Sequence, residues 1–230
     1  MWWERDVDGL MERTRGRPLP TGRLSPDAAL TFALLLAVVS VPMLFLVNLA
    51  TGLLGLLALS SYVFVYTPLK RHTYFALLVG AVPGAIPPML GWSTVTGGFG
   101  LGSGLLFLFL FLWQVPHFAA ISIFRADDYA RAGLQVVSVQ HGERGARNMI
   151  RLWTVLLVIA SLAFVPAGLA GRTYAGVALV LGAAFIALAC RGSLGAPPTD
   201  AKRWARQVFA FSIPYLSVLL IVLLADRGHS

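Results

Sequence analysis

Between Trp2 and Arg13 carboxylates recur at every fourth residue, as Glu4, Asp8 and Glu12. On a helix these three stack along one face while Asp6 points away from it. Like charges at that spacing repel by roughly 0.2–0.5 kcal/mol per pair in water. A ladder that the helix itself disfavours is one that a divalent cation would offset. Hard oxygen ligands suit Mg²⁺, which commonly bridges one or two carboxylates to phosphates. The stretch "RTRGRP" follows directly, with Arg13, Arg15 and Arg17, and with Gly16 and Pro18 expected to end the helix. Arginine forks match phosphate oxygens, so the two groups together have the composition of a diphosphate site. A solvated segment beside a membrane, serving topology alone, accounts for this stretch equally well.

Two further clusters bear on that choice. "FRADDYARAG" carries Arg125, Asp127, Asp128, Tyr129 and Arg131. Adjacent aspartates project in different directions on a helix, so only one of Asp127 and Asp128 is expected to share a centre with the first acids. "YTPLKRH" supplies Lys70 and Arg71, cations suited to phosphate. Three such clusters from distant segments are harder to dismiss jointly than singly.

The elements that must position them are membrane spans. The chain is 57% hydrophobic and only 12% charged, far from the balance of a soluble domain. Runs long enough to cross a bilayer, roughly 20 residues each, fall at Ala28–Ala50, Thr51–Tyr66, Tyr74–Trp92, Leu101–Phe124, Asn148–Ala170, Thr173–Cys190 and Gln207–Ala225. This predicts an all-α polytopic membrane protein with no room for a soluble domain. Pro83, Pro87 and Pro88, interleaved with Gly80, Gly84 and Gly91, predict a third span whose backbone is broken where protein or a water-filled cavity can satisfy it. Pro116 is expected to kink the fourth span beside Trp113 and His117. Cys190 stands alone, which excludes a disulfide framework, and reads as a small buried apolar residue.

The net charge of +8 does not indicate nucleic acid, because of where the charge lies. Sixteen of the eighteen Lys and Arg fall on one side of the predicted spans, with Arg172 and Arg227 opposite. The positive-inside rule makes the rich side cytoplasmic, in a cell inner membrane. Nine of the ten acids, all but Asp226, fall there too. Topology does not require them.

At this point the residues carry a resemblance. "ERDVDGLMERTRGRPLPTGRLSP", "YTPLKRHTYFALLVGAVPGAIPPMLGW" and "FLWQVPHFAAISIFRADDYARAG" resemble the signature blocks of the protohaem IX farnesyltransferases, a branch of the UbiA superfamily of intramembrane prenyltransferases. The resemblance runs from Met1 to about residue 142, and "RT..RP", "LKR.T", "GA.PP..GW" and "W..PHF" together separate the haem branch from the quinone branch. It implies a bundle of about nine helices around a cavity that opens to the cytoplasm. It also implies transfer of farnesyl from farnesyl diphosphate to a vinyl group of protohaem IX, with Mg²⁺ as cofactor and a haem A synthase as downstream partner. By resemblance, Glu4, Asp8, Asp127 and Asp128 are the metal ligands. Asp8, Asp128, Lys70 and Arg71 are the catalytic set, the last two as the diphosphate-binding basic pair. Arg13, Arg17, Arg125, Trp113, His117 and Tyr129 are expected to bind substrate. Trp92 and Phe118 are added as candidate cavity walls. His117 could meet a haem propionate or the iron, or could bond to a neighbouring helix.

The chain departs from the family pattern in three places. Glu4 stands where Asp is usual. Gln135 and Ser138 stand where prolines are more frequent, which predicts a looser loop. The family's first helix and most of its second have no counterpart, which leaves about seven of nine helices in one domain over residues 1–230. Met1 is then expected to be internal, and residues 1–230 alone to make no haem O. A prenyltransferase for aromatic quinone precursors, a polytopic transporter and an inactive fragment remain the other readings.

Overall fold

The computed structural model describes residues 2–191 and 198–226; Met1, residues 192–197 of the expected Arg191–Thr199 loop and residues 227–230, Arg227 of the predicted outer side among them, lie outside the described residues. Every described element is helical. A single 3₁₀ turn, Trp2–Glu4, leads into the short α1 (Arg5–Leu10). Then come α2 (Pro26–Val47) and α3 (Leu49–Leu69), followed by α4 (Ala76–Thr96) and α5 (Leu101–Phe124). Two short helices, α6 (Ala126–Arg131) and α7 (Val137–Gln140), precede α8 (Gly142–Leu162), α9 (Arg172–Cys190) and α10 (Pro198–Ala225). Among the described residues seven helices, α2–α5 and α8–α10, are long and apolar enough to cross a membrane. The protein is a multi-pass membrane protein.

Local chemistry explains the boundaries. Ser25 caps α2 by accepting from the Ala28 amide, with Pro26 pre-set for the first turn. Asn48 divides α2 from α3 three residues before the expected break, because its side-chain Oδ1 accepts from the Thr51 amide at 2.8 Å. Its Nδ2 donates to the Ser93 carbonyl at 2.8 Å, and the Thr51 and Ser93 hydroxyls pair at 2.8 Å. Such interhelical bonds are worth about 0.6 kcal/mol each in a membrane, and here they tie the charge-poor ends of α3 and α4. Just beyond, Gly97 ends α4 at φ +77°. At the other end α8 starts at Gly142 rather than Asn148, so Arg144, Arg147 and Arg151 ride on its first turns.

The triple-proline span is not broken. Ala76–Thr96 is one continuous helix with Pro83, Pro87 and Pro88 inside it. The neighbouring α5 supports it, Gln114 Nε2 donating to the Ala81 carbonyl at 3.0 Å. Irregularity falls instead in α3, where Ser61–Tyr66 widens into π-helix. There Thr67 Oγ1 donates to the Tyr62 carbonyl at 2.8 Å, a five-residue reach that suits the wider turn.

The centre of the bundle is α5, packed against α4, α8 and α10, while α9 closes on α8 and α10. Phe109, Phe164, Tyr174, Phe185 and Tyr215 interlock there. The phenol hydroxyls are not wasted in the apolar medium. Tyr174 donates to the Ser161 carbonyl at 2.9 Å and Tyr215 to the Ser161 hydroxyl at 3.0 Å. α3 and α4 extend the bundle, and α2 packs on α3 with no buried residue of its own. Cys190 is exposed, contrary to its reading as a buried residue. At the end of α9 it is the neighbouring Ala189 that turns into the core.

Candidate active site

A cavity of about 890 Å³ lies between α2, α3, α4 and α5, beneath α1 and the segment after α6. Its mouth carries Glu4, Asp8, Arg13, Arg17 and Lys70, and its depth is lined by groups such as Leu44, Leu59, Tyr62, Leu77, Leu90 and Phe118. From Ala76 to Leu90 the α4 wall descends about 21 Å. A charged rim above an apolar shaft suits a molecule with an anionic head and a long hydrocarbon tail.

The first acidic segment is held where the chemistry needs it. Val7 and Met11 pack on Ala132 and Leu134, with Tyr129 against them. That contact docks α1 onto the turn after α6, where Gly133 adopts φ +66°. Asp8 is buried, and Arg17 Nη1 donates to both of its carboxylate oxygens, at 3.2 and 3.1 Å. Thr14 Oγ1 donates to the Asp8 carbonyl at 2.8 Å, fixing the chain reversal that brings Arg17 back. Glu4 pairs with Lys70. The acidic ladder is shorter than expected, however. α1 ends at Leu10, with Met11 extended, well before Gly16, and Glu12 is exposed off the helix.

The remaining predicted residues divide. Lys70 faces the cavity and lies 5.5 Å from the centre of the Tyr66 ring. Burial and the neighbouring Arg71 pull its ammonium down to about 8, and contact with Glu4 works the other way. Arg71 is not among the lining residues; it donates to the Trp3 carbonyl at 3.2 Å and so anchors the first segment. Asp128 is buried and pairs with Arg131, with Arg125 Nη1 at 3.6 Å. Asp127 lies on the exposed side of α6, where a hydrogen bond from Lys202 at 2.8 Å holds its carboxyl below the usual range. Asp128 is thus buried and Asp127 exposed, and neither of them, nor Arg125, is among the residues that line the cavity.

Tyr129 and Phe118 line the cavity, and burial raises the Tyr129 phenol above its ordinary value. Trp113 and His117 turn the other way, toward α10. Trp113 Nε1 donates to the Ser212 carbonyl at 2.6 Å, and His117 Nδ1 shares a 2.7 Å hydrogen bond with the Ser212 hydroxyl. Of the two readings of His117, the geometry carries the bond to a neighbouring helix. Trp92 sits at the far end, against Gly102.

The loop expected to be loose is tied. The Gln135 amide donates to the Lys70 carbonyl at 3.3 Å, and Ser138 Oγ donates to the Ser122 carbonyl at 2.6 Å. Proline at either position could make neither bond. Gln140 Oε1 accepts from the Tyr74 amide at 3.0 Å and completes the closure.

Sequence reasoning missed Gln114, Tyr62 and Tyr66. Gln114 carried a signal, an amide side chain inside an apolar span. The tyrosines carried none, since aromatics are common in spans.

Among the described residues no three carboxylates, cysteines or histidines stand together as a cation cage. The donors nevertheless fit Mg²⁺ in kind. Glu4 and Asp8 are hard oxygen ligands at the mouth, and one or two such groups are what Mg²⁺ takes when substrate phosphates supply the rest.

This architecture and site define an intramembrane transferase class, and comparison with known proteins agrees. The chain belongs to the UbiA prenyltransferase family, whose model matches residues 1–213. It is 52% identical to the protoheme IX farnesyltransferase of Sorangium cellulosum over 97% of this chain and 79% of that protein. It is 49% identical to the protein of that name from Anaeromyxobacter dehalogenans, over 97% of this chain and 75% of the relative. Among solved structures, a UbiA homologue from Aeropyrum pernix K1 superposes with a TM-score of 0.70 at 23% identity, covering 96% of this chain and 82% of the other. A digeranylgeranylglyceryl phosphate synthase reaches 0.78 at 14% identity, covering 98% and 78%. These two likenesses concern the fold.

Proposed function

We propose that this chain transfers a farnesyl group from farnesyl diphosphate to a vinyl group of protohaem IX, giving haem O. The observation that carries the reading is the identity of about half to relatives that bear that activity in their name, spread over 97% of the chain. The cavity supports it, with anion-binding cations at the rim and hydrocarbon below. A quinone-precursor prenyltransferase would share the acids but not "WQVPHF". A transporter would need ionisable groups in mid-span, and here the site's charges crowd the mouth.

Arg13, Arg17 and Lys70 bind the diphosphate oxygens, Arg17 exchanging its carboxylate partner for phosphate. Glu4 and Asp8 would hold Mg²⁺, with Asp128 as a further proposed ligand. The ion supplies neutralisation of charge on the leaving diphosphate. The prenyl chain lies in the shaft, lined by Phe118, Tyr62 and Tyr66, and aromatic rings favour an allylic cation. The closed loop at Gln135–Gln140 keeps bulk water from that cation. Residues 1–230 form one prenyltransferase domain, set in the inner membrane with the mouth toward the cytoplasm, and haem A synthase is the consumer of the product.

The test is expression in a haem O-deficient host, as residues 1–230 and with any in-frame upstream codons, followed by pigment extraction and mass analysis. Haem O is the expected product. A prenylated quinone precursor, with no farnesylated haem from either length, would overturn the reading.

A further inference from the structure

The polar group deepest in the cavity is not used by the chemistry above. Gln114 lies ten residues before the end of α5, about 15 Å into the bundle. It lines the cavity yet is only 7% exposed. Both of its amide hydrogens are committed, to the Ala81 carbonyl at 3.0 Å and the Leu110 carbonyl at 3.2 Å. Two carbonyl partners fix which end is nitrogen. Its Oε1 is left as an acceptor with no donor among the described residues. It lies over Gly84, where a Cβ would collide with Oε1 and stand 2.9 Å from the amide carbon.

The prolines add to this group. Pro87 and Pro88 have no N–H, so the carbonyls of Pro83 and Gly84 lose the donors a helix would give them. Both residues line the same cavity. A side-chain oxygen lying over Gly84 and two carbonyls without their usual helical donors therefore belong to one turn of α4, all of them acceptors. The substrates of the proposed reaction offer nothing to match. Farnesyl has no N–H or O–H, the pyrroles of an iron porphyrin have no N–H, and ionised propionates only accept. The one reactant that can donate is water, and haem O formation consumes one. A buried water needs two to four polar partners.

We propose that Gln114 Oε1, with the carbonyls of Pro83 and Gly84, holds the water that becomes the hydroxyl of the product; this rests on the farnesyl-transfer reading. The farnesyl C–O bond breaks with its electron pair going to diphosphate. The vinyl π pair then forms the C–C bond to farnesyl C1 and leaves a cation on the carbon next to the porphyrin. A lone pair of the held water forms the C–O bond there. The water's proton leaves through its accepted hydrogen bond and ends on the released diphosphate, the strongest base present. With both hydrogens bound to acceptors, the water presents its lone pair to the cation. Gln114 is thus a positioning residue, and Gly84 is glycine so that the amide can approach.

Without that water the same cation loses a proton instead and gives an alkene lighter than haem O by one water. The experiment compares wild type, Gln114→Leu and Pro88→Ala in oxygen-18 water, in the same two expressed lengths, by mass analysis of the pigments. Wild type should carry one solvent oxygen in the hydroxyl. In Gln114→Leu the alkene-to-alcohol ratio should rise about five- to tenfold, the effect of one lost hydrogen bond. Pro88→Ala restores a donor to the Gly84 carbonyl and should shift the ratio the same way. It decides the question should Gln114→Leu fail to accumulate. A wild-type ratio in the variants that turn over overturns the role of Gln114 while leaving farnesyl transfer intact. Absence of any farnesylated haem from wild type overturns the transfer reading, and this proposal with it.

Discussion

Asp8→Asn separates what the carboxylate does for the fold from what it does for the site. Asp8 is 5% exposed and accepts two bonds from Arg17, the nearer at 3.1 Å. At an effective dielectric of about 20, the gross attraction across that distance is about 5 kcal/mol. Little of it survives as stability, because the Arg17 side chain is 36% exposed and regains water when released. A net contribution of about 1 kcal/mol is the expectation for such a pair, and Asn keeps one acceptor oxygen for the guanidinium. For a chain of this length that is a fall in Tm of about 2–4 °C. Binding of a farnesyl diphosphate analogue is another matter. Asn is a poor ligand for a hard cation, and loss of one of two carboxylates at the mouth should weaken Mg²⁺-dependent binding at least about 100-fold. The assay pairs thermal unfolding in detergent with titration of a thiodiphosphate analogue, with and without Mg²⁺. Wild-type affinity would remove Asp8 from the metal site. Loss of binding with a fall in Tm beyond 10 °C would make its role the docking of α1.

Three further outcomes follow from the placement of single residues. Asp128→Asn should also abolish Mg²⁺-dependent analogue binding, whereas Asp127→Asn, on the outer side of α6, should leave the affinity within twofold; equal losses would refute the buried–exposed division. His117→Ala should cost about 2–4 kcal/mol, through the Ser212 bond, the stacked Trp113 ring and the tilted Phe209 ring, with acceptor KM within twofold; a tenfold KM rise at unchanged Tm would return His117 to the substrate. With Cys190 replaced, Thr96→Cys should label from outside intact cells and Ala130→Cys should not, and the reverse pattern refutes the orientation.

The spans were legible because hydropathy is a sum over some twenty residues, which no single contact can reverse. Their ends were less so. Asn48 ends α2 through a side-chain bond to Thr51 and another to Ser93, forty-five residues away, and no local pattern contains the second. The length of α1 was misjudged for a related reason. Thr14 reaches back to the Asp8 carbonyl and turns the chain at Met11, overriding a four-residue spacing that would have carried Glu12 onto the acidic face. The loop after α6 was misjudged because a missing proline was read as lost stiffness, when the Gln135 amide and the Ser138 hydroxyl each gain a bond.

The mouth and the depth of the cavity differ in how they are written. Charges in an apolar chain are conspicuous, and Glu4, Asp8, Arg13, Arg17 and Lys70 announce themselves wherever the fold brings them. Proline and glycine in a span are equally conspicuous but ambiguous, since the same residues break a helix or merely spare it a side chain. The neighbour decides. Here Gln114 bonds to the Ala81 carbonyl, and α4 runs as one helix through three prolines. Gly84 lets that amide close in, and the two residues whose carbonyls lose a helical donor to the prolines both line the cavity. A run that reads as a break is therefore a continuous helix with an acceptor-rich turn. That turn costs nothing to the fold only if something with hydrogens to give sits beside it, which is why the prolines and the glutamine belong to one piece of chemistry.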